Sequence, residues 1–352
     1  MKRKFFLSLI SVLLGGICLT ASACSCASTP TLSLTSDWNN NTNSIGYKET
    51  AVYTVTHKSD FNSDGLNYSV SDTLKDKVAF SFSNGTYTVS TQIVPATSSF
   101  IPSNYTGNIN VESGQLIHLT TEFKITSSYT YGNPAVTKTF NDFIKTDSYI
   151  CTSGASYAPL YVTQENKYEL LSISDQGPGI TETHFKREFI YSTDKYIINK
   201  IDVNDNSVKE SKEYKYTYRT AIDNSELLFT LRNVYIEKVQ GIFSLPTITA
   251  TYGEKQNIKI SRLEDATENV NFKANGKDYS EMLVRKYVFN VDNQMMAGKS
   301  QLVFIQAKPT ETTNNVDYRA HVVKYVEPLT VYGSFAPMGA LVYTLQSVTY
   351  GK

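Results

Sequence analysis

Cysteine, tryptophan and unbalanced charge are what this sequence has least of. Four Cys and four His in 352 residues do not make a disulfide-dense scaffold, and their spacing builds no Cys/His zinc site. Lys and Arg number 33, and so do Asp and Glu, so nothing draws the chain to a phosphate backbone. A nucleic-acid partner is not expected on that balance. There is no G-x-S-x-G elbow, no H-E-x-x-H pair and no cysteine in nucleophile surroundings. His57, His118, His184 and His321 stand too far apart for a metal pair on one element. Nothing points to an enzyme or to a cofactor, although paired carboxylates meet only in three dimensions and leave no spacing to read. No fixed-period repeat is present, which argues against propellers and solenoids.

What the chain does have is apolar and aromatic bulk. It is 41% hydrophobic with 25 Tyr and 17 Phe, enough for a sizeable core. The first residues are the most specific. Lys2, Arg3 and Lys4 form a basic start, Phe5 to Leu14 is an almost unbroken apolar run, and Ala21-Ser22-Ala23-Cys24 follows. That order is the anatomy of an export signal. The segment resembles a bacterial lipoprotein signal, whose lipobox ends in a Cys that is diacylated and becomes the first residue of the mature protein. That family usually has Leu three places before the Cys, where Ala21 stands here. An ordinary signal peptidase could also read Ala21-Ser22-Ala23 and cut at the same bond. An uncleaved span fits less well, because Phe5 to Ala23 is barely bilayer length and is broken by Gly, Ser and Thr.

The resemblance implies lipidation at Cys24, a membrane partner through the anchor, and a place on the extracytoplasmic side of the cell membrane. Each buried methylene contributes ~0.8 kcal/mol, and two acyl chains hold where one would let go. Loss of residues 1–23 removes three of the 33 basic residues and leaves a net charge of −3, so acyl chains and not charge would hold the protein to an anionic leaflet. Cys18 leaves with the signal, and Cys26 and Cys151 remain, either bridged or with Cys151 serving as a small buried apolar residue.

The organisation expected is a signal over 1–23, a lipidated Cys and Ser/Thr/Asn-rich tether over 24–46 that includes Trp38, and a β-rich domain over 47–352. A sub-boundary near 153–164 is open, though no Pro- or Gly-rich linker interrupts the chain there. From Tyr47 the apolar pattern has period two. The fold class predicted is all-β: a large antiparallel sheet, a curved half-barrel or a sandwich, with few short helices.

Asn84-Gly85 predicts a two-residue hairpin that places Val78, Phe80, Phe82, Tyr87 and Val89 on one face. Strands are also predicted at 51–56, 116–131, 185–191, 196–203, 208–219, 227–239, 247–252, 284–291, 301–307, 318–325, 331–335 and 340–350, with a turn at 336–339. Ser261–Glu264 reads as a capping box, and Tyr279–Lys286 as a short helical piece.

Three motifs fall short of a ligand site. Asp60, Asn62, Asp64 and Gly65 open like a calcium loop, but Ser71 stands where the bidentate Glu belongs, so a loop between strands is the better reading. The run from Asp202 through Asn204, Asn206, Glu210 and Glu213 has Ser207 in place of the glycine and reads as a hairpin turn. Gly298-Lys299-Ser300 lacks the earlier glycine of a phosphate loop, since Asn293 stands there.

A long run of strands with one apolar face is similar in architecture to periplasmic lipoprotein carriers and mycobacterial lipid-transfer lipoproteins. The function this implies is a non-catalytic lipoprotein that binds an apolar or amphiphilic ligand against Phe80, Phe82, Tyr87 and Val89. The alternative is a cell-surface module that binds polysaccharide or a protein partner through exposed Tyr. A clickable fatty acid fed to producing cells tests the anchor. Label is expected on the wild type and not on Cys24→Ala; label that survives the substitution overturns it.

Overall fold

The computed structural model describes residues 45–351 except 98, 112–113, 154–155, 175–176, 234–241, 249–254, 292–299, 307–319 and 332–335. Cys24, Cys26, Trp38 and Gly298-Lys299 therefore lie outside the described residues, as does almost all of the tether. In chain order the strands begin with β1 (Lys48–Lys58), β2 (Asp60–Ser63), β3 (Leu66–Ser69), β4 (Val78–Pro95), β5 (Gln115–Tyr131), β6 (Val136–Ser153), β7 (Ser156–Ser174), β8 (Gly177–Tyr191), β9 (Lys195–Ile201) and β10 (Val208–Lys215). They continue with β11 (Ile222–Asp223), β12 (Phe243–Ile248), β13 (Lys255–Arg262), β14 (Ala266–Ala274), β15 (Lys277–Val291), β16 (Gln301–Gln306), β17 (Val322–Thr330) and β18 (Pro337–Gly351). Two short α-helices, α1 (Asp72–Lys75) and α2 (Leu227–Leu231), and a 3-10 turn at Asn224–Glu226 are the helical pieces among the described residues.

All the strands except the β2–β3 hairpin belong to one sheet in the order β10-β9-β8-β7-β6-β5-β4-β1-β18-β17-β16-β15-β13-β12-β11. The fold is all-β, and its ladders are antiparallel apart from two short parallel contacts, β11 with β12 and β14 with β18. The second of these closes a ring. β14 pairs with β15 along one edge and with β18 along the other, so β14 to β18 form a five-stranded barrel. Closure removes exposed edges and gives several strands two buried faces. All six residues of β16 are buried, and so is every residue from Met338 to Tyr343.

Of the other half of the sheet, β4 and β5 pack against the same interior, while β7 to β9 bury Leu160, Phe189 and Tyr196 in a second cluster with Ile248. Ile125 of β5, Tyr53 of β1 and Tyr343 of β18 share one apolar cluster with the barrel residues Phe272, Val284 and Phe304. Ser153 pairs with Ser156 at the end of the β6–β7 ladder, and residues 156–164 run inside it.

Asn84 and Gly85 do not form a hairpin. β4 continues through them without a break, and its pairing with β5 shifts between Ser83 and Thr86. Phe82 pairs with Ser127 and Tyr87 with Phe123, not Phe82 with Tyr87. The signals are real but serve a bulge. Asn84 takes φ 53°, and a Cβ on Gly85 would stand 2.2 Å from the Val55 carbonyl oxygen of β1. One extra residue changes strand parity just as a two-residue turn does, so Phe80, Phe82, Tyr87 and Val89 still share a face.

Other segments also depart from the pattern. Leu227–Leu231 is helical where a strand was expected, because the Asp223 side chain accepts from Ser225 N and opens a turn that Glu226 continues. Ser261 and Arg262 end β13, and Tyr279–Lys286 lies inside β15, where Met282 and Val284 are buried and Leu283 is exposed. Pro337–Gly339, expected as a turn, starts β18, with Gly339 at φ 84°. Asp64-Gly65 is a two-residue turn joining Ser63 to Leu66, and Asp64 pairs with Lys286 at 3.1 Å. The run from Asp202 is the β9–β10 turn, with Asp202 and Asp205 accepting from the backbone of Asn204 and Ser207. β6 and β7, at 18 and 19 residues, are long strands absent from the sequence reading.

Gly85→Ala should destabilise the fold by about 1–3 kcal/mol, because the added methyl meets backbone and cannot swing away. Chemical unfolding checks this; a change within a few tenths would mean that β1 and β4 do not approach closely there.

Candidate functional site

Between the two halves of the sheet lies a cavity of about 140 Å³. Strand parity explains its apolar wall: Phe123, Ile125 and Tyr129 are alternate residues of β5, and Phe82 and Ile144 flank them on β4 and β6. Leu329, Leu341 and Tyr343 form the opposite wall from β17 and β18. A smaller cavity of about 30 Å³ lies further in, lined by Tyr53, Tyr87 and Val89. Aromatic rings separate the two. Tyr87 and Tyr343 meet edge to face at 5.5 Å, and the Phe123 and Tyr343 centroids are 5.9 Å apart.

Of the four residues predicted to touch a ligand, Phe82 lines the larger cavity, and Tyr87 and Val89 line the smaller. Phe80 packs at the end of this face, 5.6 Å from the His57 ring and 5.9 Å from Phe82. Phe80 is not among the residues lining either cavity.

Sequence reasoning missed the polar part of the site. Asp142 of β6 and Glu169 of β7 both line the larger cavity and are only 9% and 7% exposed. The Ser127 hydroxyl lies 2.8 Å from Asp142 Oδ2 and 3.2 Å from Glu169 Oε2. The remaining oxygens, Asp142 Oδ1 and Glu169 Oε1, are buried, and no other described residue donates to them. Burial pushes the Glu169 carboxyl up to about 9, helped by its hydrogen bond to Asp142 and the charge there. Asp142 is raised as well, chiefly by burial. Two carboxyls this close share a proton. Glu182 faces Glu169 across the β7–β8 ladder and adds like charge, while Lys167 pairs with Glu182 at 3.2 Å.

The arrangement can hold a proton, donate a hydrogen bond or receive a cation. Both carboxyls converge on the Ser127 hydroxyl. The signal that could have exposed Asp142 is its register: it alternates with Phe140 and Ile144 on an inward-facing series.

Deeper in, Glu49 and Arg232 form a buried two-point ion pair at 2.7 and 3.2 Å, with Tyr47 donating to Glu49 at 2.9 Å. Burial alone would raise the Glu49 carboxyl, but the Arg232 guanidinium and His321 outweigh it and hold it near about 2. This pair pins α2 to β1. His118 and His184 sit elsewhere, on Asp147 and Glu165, so the four histidines do not meet. Cys151 is a buried free thiol in the core, raised by burial to about 11. Among the described residues no helix is long and apolar enough to cross a membrane.

No family model matches the chain, and no curated protein matches its sequence. Among solved structures it is similar to a beta-barrel-like protein of a domain of unknown function, DUF1849, from Brucella abortus. The identity is 9%, over 88% of this chain and 99% of that one, with a TM-score of 0.43.

The pair has a consequence for stability. An acid whose folded value is raised keeps its proton after the unfolded chain has lost it. Glu169 therefore stabilises fully below about 4.5, and that contribution is lost as pH rises toward about 9. Within that window stability should fall by up to about 1.4 kcal/mol per pH unit. Glu226 and Asp223, also buried and raised, act in the same direction, so the difference between wild type and Glu169→Gln isolates this site. Glu169→Gln should flatten the slope in chemical unfolding; parallel slopes would place the proton elsewhere.

Proposed function

We propose that the chain is a membrane-anchored extracytoplasmic lipoprotein, non-catalytic, that binds an apolar or amphiphilic ligand inside its sheet. The observation that carries the binding part is the cavity lined by Phe82, Phe123, Ile125, Ile144, Leu329 and Leu341, with a carboxyl pair in one wall. Apolar walls with a few placed polar groups are the usual make-up of a ligand site. A volume of about 140 Å³ suits a single ring or a short alkyl stretch and not a whole diacyl lipid. The anchor part is supported by the leader, Lys2 to Cys24. The polysaccharide reading asked for exposed rings, whereas Tyr53, Tyr325 and Tyr343 are buried in the core.

Native mass spectrometry of gently extracted protein tests the binding. A co-purifying amphiphile is expected on the wild type, with occupancy falling about tenfold in Ile144→Trp, a loss of ~1.4 kcal/mol in binding. Clean apo protein would contradict the proposal.

A further inference from the structure

The polar wall of the cavity fixes the charge of what it receives. Asp142 Oδ1 and Glu169 Oε1 are buried oxygens to which no other described residue donates, on side chains more than nine-tenths buried, and the two carboxyls bond only to Ser127 and to each other. A third carboxylate, Glu327, lines the same space and accepts from the Tyr343 hydroxyl at 3.0 Å. Phe82, Phe123, Tyr129 and Tyr343 add rings whose faces attract cations. Lys167, the basic residue among the described wall residues, is drawn toward Glu182. An anionic head group would add like charge to a buried acid pair, whereas an ammonium brings three donors and the opposite sign.

We infer that the cavity binds an organic ammonium, a primary amine on a short alkyl or arylalkyl group. Its nitrogen is held by Asp142 and Glu169, and its chain lies against Phe82, Ile125 and Ile144. The inference rests on the ligand-binding reading above and adds the sign of the head group. In the empty cavity a proton shared by the two carboxyls takes the place of the ammonium. Binding expels that proton: Glu169 O–H breaks, the proton passes to buffer, and the carboxylate accepts from the incoming N–H.

Calorimetry on the detergent-extracted full chain, at neutral pH, decides with three probes of equal length: n-hexylammonium, hexanol and hexanoate. Hexylammonium is expected to bind at least about tenfold tighter than hexanol. Its heat should change between buffers of different ionisation enthalpy, which reports the released proton, and hexanoate should bind weakest. Asp142→Asn with Glu169→Gln should bring hexylammonium down to the level of hexanol. The wild-type ranking decides by itself if that variant does not fold. Hexanol equal to hexylammonium, or hexanoate tightest, overturns the inference while the cavity reading stands. If no probe binds, both fall.

Discussion

A single sheet has two faces, and in water at least one must be covered by something apolar. Here it is covered by the far half of the same sheet, and the rest of the structure follows from that requirement. The barrel of β14 to β18 closes one end through the parallel contact of β14 with β18. β4 to β6 then lie over it, with Ile125, Tyr53 and Tyr343 in the shared core. Bulges at Val52/Tyr53, Ser83/Thr86 and Tyr149/Ile150 interrupt the register where the long strands bend. Two curved halves of one sheet do not fill the space between them completely, and the cavity is what remains.

The polar groups trapped inside are handled in two ways. Glu49 stays ionised because Arg232 meets it with two bonds and His321 stands 3.9 Å away. Asp142 and Glu169 have no guanidinium bonded to them; Lys167 draws Asp142 down, but burial outweighs it and a shared proton eases the pair. A buried ion pair of the first kind ties elements together, since breaking one side costs about 3–5 kcal/mol. A buried acid pair of the second kind leaves acceptor capacity facing the cavity, and that is the difference between a structural contact and a receptive one.

How much of this was legible in the sequence depends on parity. The alternation in 78–82 and 87–89 correctly put Phe80, Phe82, Tyr87 and Val89 on one face. It could not tell a turn at Asn84-Gly85 from a bulge, because both shift parity by one residue and both call for positive φ or a missing side chain. Leu227–Leu231 misled because a short apolar run fits strand and helix alike, while Asp223 carried the deciding cap. β6 and β7 were missed because polar residues hold buried positions where alternation looks for apolar ones, Asp142, Thr146 and Ser148 in β6 and Gln164, Asn166 and Glu169 in β7, and these strands bring the two carboxyls together from 27 positions apart. The parallel closure of β14 on β18 had no local signal at all, since it joins segments more than 70 residues apart.

An isotope-edited NMR titration of the Glu169 side-chain carboxyl reads the environment of the cavity wall directly. An apolar hollow inside the sheet, with one proton kept by its acid pair, predicts a midpoint near about 9. A midpoint close to 4.5, that of a solvated glutamate, would mean that water fills the space and the hollow is not there.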